Sequence, residues 1–307
     1  MLYSLVYWCY FHLIRRRKKY LSKGEKFPKI YQKIIDYCEW FYNIPLVRWY
    51  RKHPSKQIGL NTKKRDSKII VSLTSYPKRI NTVWITIETL LRQSMKPDAI
   101  ILWLADTQFN GLNSLPRSLL KLQNRGLTIQ FCEDMRSHKK YLNVMQEFPE
   151  DIIILVDDDM FYPRDTVSKL MKLHAKFPDD ICTMTAQYIT PNFESPPSGW
   201  RNPLLSEKIV HSDRLQIFTG SGSLYPPHCL DISAFNRNLI RQYCLNADDL
   251  WLTFMANRKN TKITMMNPWR AFPVTIYGTN EGSLYYINAE QNQNDVQWNN
   301  LIENLNQ

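Results

Sequence analysis

Short apolar runs alternate with longer amphipathic stretches from residue 69 onward, and this alternation predicts strands and helices in turn. The predicted strands are residues 69–73, 100–104, 127–131, 152–156 and 181–185. The predicted helices are, approximately, residues 81–93, 117–125, 139–148 and 164–177. Because strand and helix alternate, we expect an α/β fold with a Rossmann-like, mostly parallel sheet and helices on both faces.

The chain before this region has a different pattern. Residues 2–14 are apolar and aromatic, but they are fewer than the roughly 20 residues that a membrane-spanning helix needs. Residues 20–52 alternate basic and apolar positions at the spacing of an amphipathic helix. Residues 53–68 are polar and contain a proline and a glycine, which predicts a linker. We therefore divide the chain into a basic helical segment with its linker, 1–68, and a larger α/β domain, 69–307.

The net charge of +12 belongs to the first segment. Residues 1–68 contain 17 Lys and Arg against 4 Asp and Glu, whereas the rest of the chain holds 23 against 24. A near-neutral main domain disfavours a nucleic-acid groove, so we expect no nucleic-acid partner. The basic segment favours docking on an anionic membrane surface.

The membrane hypothesis depends on the start of the chain. Residues 15–19 are all basic, and Trp8, Tyr3, Tyr7 and Tyr10 are of the types that settle at headgroup depth. Positive charges tend to stay on the cytoplasmic side, so we expect a cytoplasmic protein, peripheral on the inner face of the cell membrane. A helix packed on the main domain and a signal peptide are the alternatives.

The main candidate for chemistry is a row of three acids, Asp157, Asp158 and Asp159, directly after the apolar run 152–156. Ligands of α/β folds bind at the carboxyl ends of such buried strands. Crowded carboxylates raise one another's pKa unless a cation compensates, and hard oxygen ligands suit Mg²⁺ or Mn²⁺. The pattern therefore indicates a divalent metal that holds phosphates. A solvated acidic turn is the alternative.

A glycine-containing segment, residues 218–227, follows the acidic row along the chain. It places Gly220 and Gly222 on either side of Ser221, and glycines in a loop allow the backbone to approach a ligand closely. A bulge at the edge of a strand is the alternative. Residues 191–203, rich in proline, are a candidate mobile lid.

A second acidic pair, Asp248 and Asp249, stands at a predicted helix start, where an acid often serves only as an N-cap or a partner of the helix dipole. The functional alternative is a general base, because one of two neighbouring carboxylates gains a raised pKa between apolar flanks. Several basic residues follow strand ends on the side of the acids and are candidates for holding a diphosphate leaving group. They are Lys78, Arg79, Arg136, Lys139 and Lys140.

Together these features resemble the GT-A glycosyltransferases, and most closely the family 2-type enzymes of bacterial surface-polysaccharide synthesis. The likeness covers about residues 69–298. It is carried by SLTSYPKRI (72–80), HKKYLNVMQEFPEDIIILVDDDMFYP (138–163), TGSGSLYPP (219–227), ADDLWL (247–252) and NQNDVQW (292–298). The resemblance implies a GT-A fold and transfer of a sugar from a nucleotide-diphosphate donor, such as a UDP-sugar, to a glycan or lipid-linked acceptor. It also implies Mn²⁺ or Mg²⁺ as the cofactor.

The resemblance implies roles for individual acids. Asp157 and Asp159 match the acids of the DxD motif that hold the metal, and Asp158, the intervening position, is expected with Asp157 to bind the nucleotide sugar. Asp249 matches the carboxylate that deprotonates the acceptor hydroxyl in inverting members. Asp248 stands where Glu is usual, so the choice of base between the two stays open.

Other residues are expected to bind the donor or the acceptor on the same resemblance. Those expected at the nucleotide sugar are Thr74, Tyr76, Arg79, Asp106 and Lys140. Those expected beside the donor sugar or the acceptor are Gly220, Ser221, Gly222 and Trp251. Retaining relatives often add a histidine metal ligand near the C-terminus, and no histidine follows His228 here, which favours inversion.

There are three rival hypotheses, and the sequence disfavours the first two. A sugar-phosphate nucleotidyltransferase would need a Gly-rich, basic phosphate loop after the opening strand. Residues 74–79 at this place read TSYPKR and contain no glycine. A haloacid-dehalogenase-type phosphatase would need DxDx[TV], whereas Met160 and Phe161 follow the three acids. A membrane-bound scaffold with a degenerate transferase fold is the rival from a non-enzyme class.

Overall fold

The computed structural model of the protein describes residues 2–22, 24–201, 209–266, 273–279, 288 and 292–305. Its helices are α1 (Leu2–Ser22), α2 (Lys29–Phe41), α3 (Val47–Lys52), α4 (Val83–Leu90), α5 (Arg117–Leu120), α6 (Lys139–Glu147), α7 (Thr166–His174), α8 (Arg237–Tyr243), α9 (Asp248–Arg258) and α10 (Gln293–Leu305). Its strands are β1 (Ile69–Thr74), β2 (Ala99–Ala105), β3 (Leu127–Cys132), β4 (Ile152–Leu155), β5 (Met160–Phe161), β6 (Ile181–Thr183), β7 (Ala186–Tyr188), β8 (Ile209–Ser212), β9 (Leu215–Ile217), β10 (Ser223–Tyr225), β11 (Ile263–Met266) and β12 (Val274–Thr275).

Eight of these strands form the central sheet, in the order β3-β2-β1-β4-β10-β6-β11-β8. The strands β3, β2, β1 and β4 are parallel neighbours, and β11 is parallel to β6. Two strands run the other way, β10 between β4 and β6, and β8 at the edge. The predicted fold class, an α/β fold with a mostly parallel sheet, is confirmed.

Side chains of the central strands alternate between two hydrophobic cores, one on each face of the sheet. On β4, Ile152 and Ile154 belong to the first core, and Ile153 and Leu155 belong to the second. Helix α4 packs into the first core, whereas α6 and α9 pack into the second. Both faces are thus covered by helices, which explains why these strands are uninterrupted aliphatic runs in the sequence.

The N-terminal segment is helical, as expected, and it shares the first core with the sheet. Helix α2 buries Ile35 and Cys38, and a π-helical turn, Tyr42–Leu46, then leads into α3. The ring of Tyr42 contacts that of Phe161, with 5.3 Å between the ring centroids. Helices α2 and α3 therefore pack on the α/β domain. Tyr10 and Leu13 of α1 belong to the same core, so the packing alternative posed for the start of the chain applies to these two residues.

Residues 53–68, predicted as a linker, lie along the body of the protein. The backbone N–H of Gly59 donates to Arg125 O at 2.8 Å, and Arg65 pairs with Asp98 at 2.7 Å. Among the residues that the structure describes, no helix has the length and apolar character needed to cross a bilayer.

Candidate active site

Two acids that are 91 positions apart in the sequence, Asp157 and Asp248, meet at one buried lysine. Lys140, near the start of α6, has its Nζ 2.7 Å from Asp157 Oδ1 and 2.8 Å from Asp248 Oδ2. The first contact is a hydrogen bond, and the second is an ion pair without hydrogen-bond geometry. The Lys140 side chain is only 3% exposed. Burial alone would lower its pKa, but the surrounding carboxylates win and raise it, so Lys140 stays charged.

Arg79, in the loop after β1, is the second cation of the site. Its guanidinium contacts Asp158 Oδ1 at 2.6 Å and Asp159 Oδ2 at 3.1 Å. The Ser75 hydroxyl donates to the other oxygen of Asp158 at 2.5 Å. Arg79 also donates to the carbonyl oxygen of Thr279 from two of its nitrogens. This loop therefore fixes two of the three acids in the row.

Asp159 keeps one carboxylate oxygen, Oδ1, buried and without a hydrogen-bond partner among the described residues. Burial, and secondarily the neighbouring acids, raise its pKa to about 7 against the opposing effect of Arg79. A buried, unpaired carboxylate oxygen is energetically costly, so it needs either a proton or a cation.

The glycine-containing loop passes very close to the acidic row. A Cβ atom on Gly220 would lie 2.5 Å from Asp157 Oδ2, nearer than real Cβ atoms come to a neighbour. The Tyr162 hydroxyl accepts from the N–H of Asp157 at 2.8 Å and donates to the carbonyl of Gly220 at 2.8 Å. Gly222 has a φ of 101°, a left-handed backbone that favours glycine. Gly220 is therefore required by the lack of space for a side chain, and Gly222 is favoured by its backbone conformation.

The two acids at the start of α9 have opposite environments. Asp248 pairs with Lys140, whose charge outweighs the effect of burial and lowers the Asp248 pKa. Asp249 Oδ1 accepts hydrogen bonds from the N–H and the hydroxyl of Thr219, at 3.1 Å and 2.6 Å. Burial, with the Asp248 charge as the next cause, raises the pKa of Asp249 to about 7. At neutral pH Asp248 is a fixed anion, and Asp249 is able to exchange a proton.

A divalent cation fits the acidic row, although no group of three or more His, Cys, Asp or Glu is arranged as a metal site among the described residues. The acidic row and the second pair contribute five buried or partly buried carboxylates, and four of them, 157–159 and Asp248, pair with one of two cations, Arg79 and Lys140. His138 does not add a charge, because burial lowers its pKa to about 4. The unpartnered Asp159 oxygen and the 37% exposed Asp157 side chain are the donors left over for a metal.

Other predicted residues have varied positions. Thr74 donates to Trp103 O at 2.8 Å, and the Arg79 guanidinium lies over the ring of Tyr76. Asp106 is exposed after β2, two strands away from β4. Ser221 is buried and donates to Phe218 O.

Trp251 lies in the hydrophobic core. It is fully buried in the second core, where its indole N–H donates to Ala234 O at 3.0 Å, so the structure gives it a packing role. Among the other predicted cations, Lys139 pairs with Asp134 at 2.7 Å. Lys78 and Arg136 are exposed.

Four residues of the site were not predicted from the sequence: Ser75, His138, Tyr162 and Thr219. His138 is fully buried and lies 2.8 Å from the carbonyl oxygen of Cys244, in the turn that leads into α9. Thr219 connects Lys140 Nζ, at 2.6 Å, to Asp249. Its position next to Gly220 was the one available signal. Nothing in the sequence marks Tyr162 as different from the apolar residues around it.

The segment proposed as a lid packs against α10 where the structure describes it. Trp200 is 8% exposed and contacts the ring of Trp298, and the Ser198 N–H donates to Asp295 at 2.9 Å. Gln297 in turn accepts from the N–H of Asn246, just before the second acidic pair. The sequence stretch at 292–298 therefore supports the turn that carries these acids.

No family model matches the chain, and no curated protein matches it. Among solved structures, the mannosyltransferase PcManGT from Pyrobaculum calidifontis, in complex with GDP-Man and Mn²⁺, is similar at 16% identity over 47% of this chain and 42% of that chain, with a TM-score of 0.31. S. aureus TarS 1-349 is similar at 15% identity over 65% of this chain and 58% of that chain, with a TM-score of 0.43. The chain thus spans less than two thirds of either structure. Both scores are low, so the function proposed below depends on this chain's own residues.

Proposed function

We propose that the protein is a metal-dependent glycosyltransferase that moves a sugar from a nucleotide-diphosphate donor to a glycan or lipid-linked acceptor. One observation carries the proposal: Lys140 joins the acidic row to the Asp248–Asp249 pair. A site for the metal and diphosphate would therefore lie one lysine side chain away from a partly buried carboxylate whose pKa is about 7. Glycosyl transfer needs these two functions side by side.

In this proposal Asp157 and Asp159 hold Mn²⁺ or Mg²⁺, because they own the accessible and the unpartnered carboxylate oxygens. A bound divalent cation would supply positive charge to the departing diphosphate. Arg79 and Lys140 add positive charge on either side of the row and hold the acids in place. Thr74, Tyr76 and Asp106 are assigned to the nucleotide, and a UDP-sugar is our proposed donor.

Asp249 is our choice for the base. Its carboxylate is oriented by Thr219 and has a pKa near neutrality, whereas Asp248 is committed to Lys140. A single base that takes the proton of the acceptor hydroxyl supports one displacement at the anomeric carbon, and hence inversion. Gly220 and Gly222 leave space at the row, and Ser221 is buried between them. We also propose that the protein works as a peripheral protein at an anionic membrane surface in the cytoplasm.

Titration calorimetry with Mn²⁺ and UDP tests the donor site. The wild type should bind UDP only when Mn²⁺ is present, and the double variant Asp157→Asn/Asp159→Asn should lose this binding, because amides are weaker ligands for a hard cation. Asp179→Asn changes an exposed acid outside the acidic row and the second acidic pair, so it is the control and should bind normally. Failure of the wild-type protein to bind UDP, with or without Mn²⁺, would support the non-catalytic scaffold instead.

A further inference from the structure

Helices α1 and α2 form an antiparallel hairpin. Gly24, with a φ of 71°, lies in the turn between them. Near the turn the rings of Tyr20 and Phe27 are 5.7 Å apart, and farther away Cys9 is close enough to Cys38 for their side chains to interact. The start of α1 therefore lies beside the end of α2.

The open end of this hairpin exposes large apolar side chains from both helices. Leu5 and Trp8 of α1 are each 60% exposed, and Tyr37 and Trp40 of α2 are 58% and 44% exposed. The rings of Tyr37 and Trp40 are in contact, with 5.5 Å between their centroids. Clustered exposed aromatic residues mark interaction surfaces, and Trp and Tyr suit an environment that is apolar on one side and wet on the other.

Next to Trp8 along the exposed side of α1 is a cavity of about 370 Å³. It is lined by His12, Leu13, Arg15, Arg16 and Lys19. Three of the five lining residues carry fixed positive charge and none is acidic. The guanidinium of Arg16 lies 4.9 Å from the ring centre of Tyr31 on α2, which orients it beside the cavity. The chemistry of the lining favours an anion such as a phosphate.

We propose that this face of the α1–α2 hairpin docks on a bilayer rich in anionic phospholipids, with lipid phosphates in the cavity and the exposed apolar residues at headgroup depth. Apolar side chains next to a cationic cavity on one helix are the arrangement of an interfacial helix. A second copy of the chain is a poor occupant, because residues 1–68 of each copy carry 17 basic against 4 acidic residues and would repel one another.

This inference deepens the membrane association proposed above and does not depend on sugar transfer. It also changes the set of residues expected at the membrane. Tyr10 is buried in the core at 8% exposure, so it is excluded from the interface. Helix α2 adds Tyr37 and Trp40, which lie outside the first apolar stretch.

Co-sedimentation of the full chain with vesicles tests the inference. Wild-type protein should bind vesicles that contain phosphatidylglycerol and not vesicles of phosphatidylcholine alone. Arg15→Gln/Lys19→Gln should bind about thirtyfold more weakly, since each cation near an anionic surface contributes on the order of 1 kcal/mol. Leu5→Ala/Trp8→Ala should weaken binding by at least about tenfold through lost apolar burial.

Two control variants match these changes. Lys63→Gln/Lys64→Gln removes the same charge from exposed positions outside the hairpin, and Leu112→Ala/Ile232→Ala removes exposed apolar side chains elsewhere. Both should bind vesicles like the wild type. Asp159→Asn should also bind like the wild type, because it changes the proposed metal site and not the hairpin, so a failure of the transferase proposal can be told apart from a failure of the membrane proposal. Inorganic phosphate should compete with lipid phosphates for the cavity, and we expect it to displace part of the protein from the vesicles.

Three outcomes would overturn the inference. One is a wild-type protein that does not sediment with either kind of vesicle. Another is an equal loss of binding in the matched controls, which would mean that net charge or apolar content acts without regard to position. The third is a dimer in solution, seen by light scattering, that Leu5→Ala/Trp8→Ala dissociates, because a second copy would then cover the face.

Discussion

Neighbouring aspartates in this protein differ because different cations and donors reach them. Asp157 and Asp248 share Lys140, Asp158 is held by Arg79 and Ser75, and Asp249 has the hydroxyl of Thr219. One carboxylate can therefore stay ionised while another titrates near pH 7. All of these residues are aspartates, so their different protonation behaviour is determined by their local partners.

Gly220 sets the distance between the loop and the acidic row. In Gly220→Ala the new Cβ would lie 2.5 Å from Asp157 Oδ2, so the carboxylate or the loop must move. Displacing a positioned group by about 1 Å costs on the order of a hundredfold in rate, and we expect sugar transfer to fall by that factor. Initial rates with a nucleotide sugar and Mn²⁺, with circular dichroism to monitor the fold, provide the measurement.

Gly199→Ala is the control, because the nearest atom to its new Cβ is Thr190 O at 3.9 Å. It should transfer sugar at the wild-type rate. Wild-type activity in Gly220→Ala would show that the close approach of the loop to Asp157 has no part in the reaction.

At the scale of elements, the N-terminal helices are linked to the candidate active site through a short chain of contacts. Asn43, in the π-helical turn, donates to Thr275 O at 3.1 Å and accepts from the N–H of Tyr277 at 2.7 Å. That strand segment continues to Ile276, whose N–H donates to Asp159 O at 2.7 Å. The N-terminal segment is thus part of the support of the acidic row.

We therefore expect Asn43→Ala to lower both stability and activity. Two partly buried backbone groups, Thr275 O and Tyr277 N–H, would lose their partner, at about 1 kcal/mol each, and the support of Asp159 would loosen. Urea unfolding measures the first effect and Mn²⁺-dependent UDP affinity the second. Asn43→Asp keeps the acceptor for Tyr277 but cannot donate to Thr275, so it should fall between wild type and Asn43→Ala.

Asn304→Ala is the control for this pair of variants, since Asn304 is exposed on α10 and bonds only within its own helix in the described structure. Unfolding of Asn43→Ala at the wild-type urea concentration would contradict the supporting role of the π-helical turn.

The parallel half of the sheet could be predicted from the sequence because β1, β2 and β4 are buried on both faces and read as aliphatic runs. The strands β6, β7, β9 and β10 have three residues each, too few for periodicity to indicate their direction or neighbours. The acidic row was predictable from its position after β4. The contact of Arg79 with Thr279 was not, because it joins residues 200 positions apart.

At the scale of the whole molecule, the charge that the proposed base must carry lowers the free energy of unfolding. The pKa of the Asp249 carboxyl is raised from 3.8 in an unfolded chain to about 7 by burial and by Asp248. The folded state therefore binds this proton more tightly than the unfolded state does. The contribution of Asp249 to stability therefore falls as pH rises from about 4 to 7, and above pH 7 the folded protein carries the full cost of this one charge.

Asp249→Asn removes that charge, so activity and stability should move in opposite directions. Sugar transfer by the wild type should rise with pH to a plateau above about pH 7, because the base must be deprotonated, and the variant should lose a hundredfold or more in rate. Its free energy of unfolding should exceed that of wild type at pH 8 by about 2–4 kcal/mol, and the gain should shrink towards pH 4. Rates and urea unfolding at pH 5 and pH 8 measure both quantities, with Asp179→Asn as the exposed control that should change neither. A variant that is inactive and also less stable at pH 8 would mean that Asp249 is needed to hold Thr219 and its loop in place, and the base would then have to be sought elsewhere in the site.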